Sequence, residues 1–175
     1  NMLTDILNDF LSVGKIEEGK ISLRPVTFSV KEFIQNIIHE ISSLLKKEQH
    51  INYEHEGAEI ITLDASLLKH ILLNLLSNAI KFSPENSVIT VNSSVIENSL
   101  ILRIRDKGMG ISNDDQQHLF ERFFRGSNAS SVQGTGLGLH IVSKYAQLLN
   151  GSIVCNSELE KGTEFILSFQ LQQGD

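Results

Sequence analysis

His70-Ile71-Leu72-Leu73-Asn74-Leu75-Leu76-Ser77-Asn78-Ala79-Ile80-Lys81-Phe82 is the stretch on which the reading of this chain turns. At about 100° per residue, Asn74, Asn78 and Lys81 fall within one narrow arc, at i, i+4 and i+7. Leu68, Leu72, Leu75, Leu76 and Ala79 take the opposite side and must face a core. The spacing predicts a helix over residues 65–82, and Pro84 prevents its continuation. Two amides and an ammonium on one side offer oxygen to a hard cation and donors to phosphate. An ordinary solvated helix face accounts for the same arc when the helix is taken alone. Asn is a mediocre helix former, however, so two of them one turn apart call for a compensating role.

Moving outward, residues 88–95 and 100–104 are β-rich runs joined at Glu97-Asn98, which predicts a hairpin. The second run leads into Asp106-Lys107-Gly108-Met109-Gly110. Asp106 can accept a hydrogen bond from an exocyclic amine, and Gly108 and Gly110 allow backbone to approach a flat ligand. Asn113 or Asp114 is expected to cap a short helix ending near Phe120. Residues 125–136 are rich in Ser, Gly and Asn without periodicity, which reads as a long loop. Gly134-Thr135-Gly136-Leu137-Gly138 then opens a helix over about 137–149, ended by Asn150-Gly151. Glycines at a helix start expose backbone N–H groups that favour phosphate. The run lacks the Gly-Lys-Ser/Thr ending of a P-loop, and no βαβ unit with an acidic residue follows it. Residues 152–156 and 164–171 close the chain as strands around Lys161-Gly162. Upstream, Val26-Thr27-Phe28 reads as a short strand, and Ser29 as the N-cap of a helix to about Lys47. Residues 51–53 and 60–63 read as strands around a Glu56-Gly57 turn. Leu3, Ile6, Leu7, Phe10 and Leu11 form one stripe of an opening helix, weakened at Gly14 and Gly19. That stripe needs another helix, of a second copy or of its own domain. The expected fold is an α/β (α+β) two-layer sandwich, a mixed sheet with helices on one face.

Composition narrows the function classes. The chain has 175 residues, 15 Lys+Arg against 21 Asp+Glu and a formal net charge of -6. An acidic balance argues against general nucleic-acid or membrane-surface binding. The single Cys155 excludes an internal disulfide framework, and no run approaches the eighteen or so apolar residues of a membrane span. A cytoplasmic setting is therefore expected, in a parent chain that is either free or membrane-anchored.

In this order, the stretches resemble the catalytic ATP-binding domain of the sensor histidine kinases of two-component signalling, within the GHKL (Bergerat-fold) superfamily. Residues 74–82 resemble the N box, Asp106-x-Gly108-x-Gly110 the first glycine box, and Phe120-Glu121-Arg122-Phe123-Phe124-Arg125 the F box. Residues 134–138 resemble the second glycine box, and Gly162-Thr163 a last small glycine motif. The resemblance implies ATP and Mg²⁺ as cofactors, with Asn78 as metal ligand and Asn74 and Lys81 near the phosphates. It implies a nucleotide site comprising Asn74, Asn78, Lys81, Phe82, Asp106, Gly108, Gly110, Arg125, Gly134, Thr135, Gly136, Leu137, Gly138 and Thr163. Arg125, Lys81 and Asn74 are the expected catalytic set, with a lid over residues 126–133. Residues 1–20 correspond to the end of the second dimerisation helix plus linker, and residues 21–175 to the catalytic domain.

Relatives that hydrolyse ATP carry a Glu one turn before the metal-binding Asn. Asn74 stands there instead, and an amide cannot act as a general base at neutral pH. The γ-phosphoryl is thus left for a protein nucleophile. None of the six histidines has the setting of the phosphoacceptor, which is expected outside this chain. His70, one turn before Asn74, is a candidate to approach the phosphates, whereas His118 and His140 read as packing. The implied partners are the protein's own dimerisation and phosphoacceptor domain, a response regulator receiver domain and a second copy in a homodimer; nucleic acid is not among them. Two alternatives stand beside this reading: a Ser/Thr-directed kinase of the same fold, and a nucleotide-gated interaction module that transfers nothing.

Overall fold

The structure is a computed structural model that describes residues 2–125 and 136–171. The chain opens with α1 (Met2–Glu17), in which Gly14 is accommodated, and Gly19 leaves it with a left-handed φ of 64°. β1 (Val26–Ser29) leads into α2 (Val30–Ile41), whose N-cap is Ser29, with its hydroxyl accepting from the Glu32 N–H. A single 3-10 turn (Ser42–Leu44) ends α2 six residues short of the expected Lys47, because Leu45 adopts an extended conformation. β2 (His50–Gly57) and β3 (Ile60–Leu63) precede α3 (Ala65–Phe82). Asp64 caps α3 with one carboxylate oxygen on the Leu67 N–H at 3.0 Å, and its other oxygen accepts from the Arg24 N–H at 2.9 Å. β4 (Val88–Ile96) and β5 (Ser99–Asp106) form the expected hairpin, with Glu97 and Asn98 both at positive φ as a tight turn requires. The short α4 (Asn113–Gln116) is capped by Ser112, one residue before the expected cap, and stops before Phe120. α5 (Gly138–Leu148), β6 (Gly151–Glu158) and β7 (Gly162–Gln170) complete the order.

The main sheet has five strands in the order β2-β4-β5-β7-β6, with β2 parallel to β4 and the other pairs antiparallel. β2 and β3 do not form the expected hairpin. β3 pairs with β1 in a separate two-stranded ribbon, and α3 carries the chain across to lay β4 beside β2. The physical reason is the period-two pattern of the sheet. Ile89, Val91, Leu100, Leu102, Leu167 and Phe169 are all fully buried on one face, where they meet Leu68, Ile71, Leu72 and Leu76 of α3 in one core. The opposite face carries polar and charged side chains such as Arg103, Arg105 and Glu164. Helices thus cover one face of a mixed sheet, as expected.

α1 lies against α5, with Val13 buried and Ile16 packed on the core. Leu7 and Leu11 remain 58% and 54% exposed, so the helix folds back on its own domain through only part of its apolar surface. Among the described residues, no helix is long and apolar enough to cross a membrane. Truncating Leu72, which is fully buried, to Ala is expected to cost about 2–5 kcal/mol, read as a lowered urea midpoint with an unchanged slope.

Candidate functional site

β5 ends on Asp106, which is buried yet carries a carboxylate. One oxygen accepts the Gly108 N–H at 2.8 Å, and the carboxylate also accepts from the backbone N–H of Thr163. Burial holds this carboxyl above the ordinary carboxylate range, with the two backbone donors pulling partly back. Behind it, Ser157 ties the strand ends together. Its hydroxyl donates to the Gly162 carbonyl at 2.8 Å, so the Thr163 hydroxyl, also 2.8 Å away, must donate to it. The Ile111 N–H bonds the same oxygen at 2.8 Å. Gln116 adds bonds from its amide to the Ile111 and Ser157 carbonyls, at 2.7 and 3.0 Å. Cys155 lies nearby; burial, then the charge of Asp106, push its thiol up to about 12, so it stays protonated and inert.

The polar arc of α3 runs toward this corner. Asn74 and Asn78 are half-buried and Lys81 is exposed. Asn74 donates its amide N–H to the His70 carbonyl at 3.0 Å, and a Cβ on Gly138 would sit 3.0 Å from its Oδ1. At the other end of α3, a Cβ on Gly108 would fall on the Phe82 carbonyl. Residues far apart in the chain thus meet at one helix: Asn74, Asn78, Lys81 and Phe82 from α3, Asp106 from the end of β5, Gly108 just beyond it, and Gly138 from α5. Gly110 packs on the Glu158 backbone in the same way, so the neighbour of this motif glycine is protein. Leu137 is 1% exposed and belongs to the core, which makes it a support for α5. Gly134, Thr135 and the expected lid lie outside the described residues.

Beside this face, Gly136 has a φ of 78° and presses on the Phe123 backbone, where a Cβ would lie 2.7 Å from two of its atoms. Phe123 and Gly136, on either side of residues 124–135, are therefore fixed against each other. His140 holds this junction: Nδ1 faces the Phe120 carbonyl at 3.1 Å, and Nε2 receives the Arg122 Nε–H at 3.3 Å. That pattern requires a neutral ring protonated on Nδ1. Arg122 also pairs with Glu17 of α1, and Phe10 meets Phe123 with ring centroids 5.9 Å apart. Arg122 therefore braces the junction. Arg125 is exposed at the edge of the described residues. The His70 ring packs edge-on to Tyr145 at 5.0 Å, where burial depresses its pKa.

A family model described as histidine kinase-, DNA gyrase B- and HSP90-like ATPase matches residues 63–173, the span that holds every element of this face. The chain belongs to that ATPase family. It is 32% identical over 186 residues to the autoinducer 2 sensor kinase/phosphatase LuxQ of Vibrio vulnificus strain YJ016, covering 99% of this chain and 21% of that one. It is 34% identical over 179 residues to the sensor histidine kinase GacS of Pseudomonas protegens, covering 97% and 19%. The chain thus spans about a fifth of the length of these curated relatives. Among solved structures, full-length ShkA in complex with AMPPNP superposes with a TM-score of 0.87 at 24% identity, covering 98% of this chain and 36% of that one. The mycobacterial sensor histidine kinase MprB superposes at 0.74 with 26% identity, covering 86% and 100%. This ATPase domain is of the catalytic type found in sensor histidine kinases.

Several residues that build the site in this histidine kinase-type domain carry no signal in the sequence. Ser157 and Gln116 are unremarkable until the strands pair, and Arg122 and His140 become partners only because α5 packs beside the F box. Burial, the largest cause, lowers the pKa of both His70 and His140 from the ordinary 6.5. Each ring is neutral in the fold, so its contribution is fully present above about pH 6.5 and lost as pH falls through the depressed folded value. The thermal midpoint is therefore expected to drop between pH 7.5 and 5. His140→Gln should flatten that dependence; an unchanged slope in a melting series would refute the assignment.

Proposed function

We propose that this domain binds ATP with Mg²⁺ across the polar arc of α3 and passes the γ-phosphoryl to a histidine outside residues 1–175. From that histidine it moves to an aspartate of a response regulator receiver domain. The observation that carries the reading is the convergence of Asp106, Gly108 and Gly138 on α3, with Asn74 locked by the His70 carbonyl.

Asp106 is suited to the adenine amine. Its carboxylate keeps acceptor capacity beyond the two backbone donors, and guanine would present a carbonyl oxygen there instead. Asn78 offers an amide oxygen for Mg²⁺, a hard cation that takes oxygen ligands and, when bound, neutralises phosphate charge. Lys81 and Arg125 supply positive charge for the transferring phosphoryl, and Gly134, Thr135, Gly136 and Gly138 supply backbone donors and close approach. The Asn74 amide takes no proton from water, so hydrolysis does not compete. A neutral acceptor imidazole attacks the γ-phosphorus, the bond to the β,γ-bridging oxygen breaks, and ADP leaves. Residues 1–20 are the end of a dimerisation helix in this reading, residues 21–175 the catalytic domain, and the intact protein a homodimer. The net charge of -6 does not oppose ATP, because local groups set affinity.

Mixed with an acceptor-bearing dimerisation fragment and labelled ATP, the domain should place acid-labile label on that fragment and none on itself. Label on this chain, or none on the acceptor while nucleotide is bound, would overturn the proposal. Asn78→Asp sets a second anion beside the phosphates and should weaken Mg²⁺-dependent AMPPNP binding by about tenfold or more in calorimetry.

A further inference from the structure

The last turn of α3 carries Lys81 and Phe82, and its carbonyls have lost their helical donors. The N–H that would reach the Ile80 carbonyl belongs to residue 84, which is a proline and has none. Ser83 is extended at ψ 148°, so the chain beyond it cannot serve the Lys81 carbonyl either. Only the Ser83 N–H continues the ladder, to the Ala79 carbonyl at 3.2 Å.

Replacements come from the segment before β2. The Lys46 ammonium donates to the Lys81 carbonyl at 2.9 Å and to the Ser83 carbonyl at 2.6 Å. Gln49, 3% exposed, aims its amide nitrogen at the carbonyls of Ile80, Ser83 and Pro84, at 3.3, 3.4 and 3.4 Å. Its Oε1 accepts the Lys46 N–H at 2.9 Å, which joins the two residues into one clamp. Backbone bonds from Asn86 N to Lys47 O and from His50 N to Ser87 O, both 3.0 Å, hold the segments side by side. The Lys46 charge also opposes the negative end of the α3 dipole.

We propose that Lys46 and Gln49 are positioning residues for the nucleotide site: they replace the donors that Pro84 and the extended Ser83 remove, and so hold the last turn of α3, with Lys81 on it, and its Phe82 carbonyl against Gly108. The inference rests on the nucleotide reading of α3. Neither residue touches the site face; both act through the carbonyls of its last turn. The role requires donors. A carboxylate at position 49 would face three carbonyl oxygens, and only its protonated form could donate one hydrogen bond.

The test measures AMPPNP affinity by calorimetry, with Mg²⁺ and across pH 5–8, for the wild type, Lys46→Met, Lys46→Arg, Gln49→Leu and Gln49→Glu. Circular dichroism checks the fold of each. Lys46→Met and Gln49→Leu should lose about tenfold in affinity while folded, and Lys46→Arg should restore most of the loss. Set against the uncharged Gln49→Leu, whose ratio to wild type should stay flat, the ratio of Gln49→Glu to wild-type affinity should rise as pH falls. If the two apolar variants do not fold, that ratio and the Lys46→Arg affinity decide. Wild-type affinity in folded Lys46→Met and Gln49→Leu, or a flat Gln49→Glu ratio across pH, would overturn the proposal. Absence of AMPPNP binding by the wild type would refute the nucleotide reading itself, and this proposal with it.

Discussion

Between the Phe82 carbonyl and residue 108 there is no room for a side chain of even one carbon. The rest of the site depends on this contact, because it brings the end of β5 directly onto the end of α3. Once the two backbones meet, the Asp106 carboxylate lies beside the helix whose outer face carries Asn74, Asn78 and Lys81. A Cβ at 108 would push strand and helix apart and open the corner to water. The Asp106 carboxyl would then lose the burial that now holds it above the ordinary carboxylate range.

The second contact, between Gly138 and the Asn74 amide, sets α5 against the opposite end of the same helix face. It also fixes the chemistry of Asn74, whose amide is already committed to the His70 carbonyl. From α5 the path continues through His140 to Arg122, and from Arg122 to Glu17 on α1. α1 is thus in physical contact with Arg122 and Phe123, through an ion pair and through the Phe10–Phe123 ring contact. A displacement of α1 has to break or carry these contacts.

Much of the fold was legible before any tertiary contact was known. The boundaries of α3 followed from leucine spacing and Pro84, and the β4–β5 hairpin from Glu97-Asn98. These signals are local: a cap, a turn or a period acts over a few residues, so the chain displays them in order. The polar arc of α3, the Asp106 motif and the glycines of the 134–138 run were legible for the same reason. Where reading failed, the deciding partner was distant. α2 ended early at an extended Leu45, and β3 left β2 for β1.

By itself, then, the sequence determined the elements, the side chains that face the core and the residue types able to hold a nucleotide, since all three rest on periodicity and side-chain chemistry. Tertiary structure alone decided which backbones touch. Strand order, the anchoring of Ile111 on Ser157, the neutral His140 between Phe120 and Arg122, and the clamp of Lys46 and Gln49 on α3 all require groups about twenty or more residues apart to lie within hydrogen-bond distance. A hydrogen bond is specified by position to a few tenths of an ångström, and that precision exists only after the core has packed.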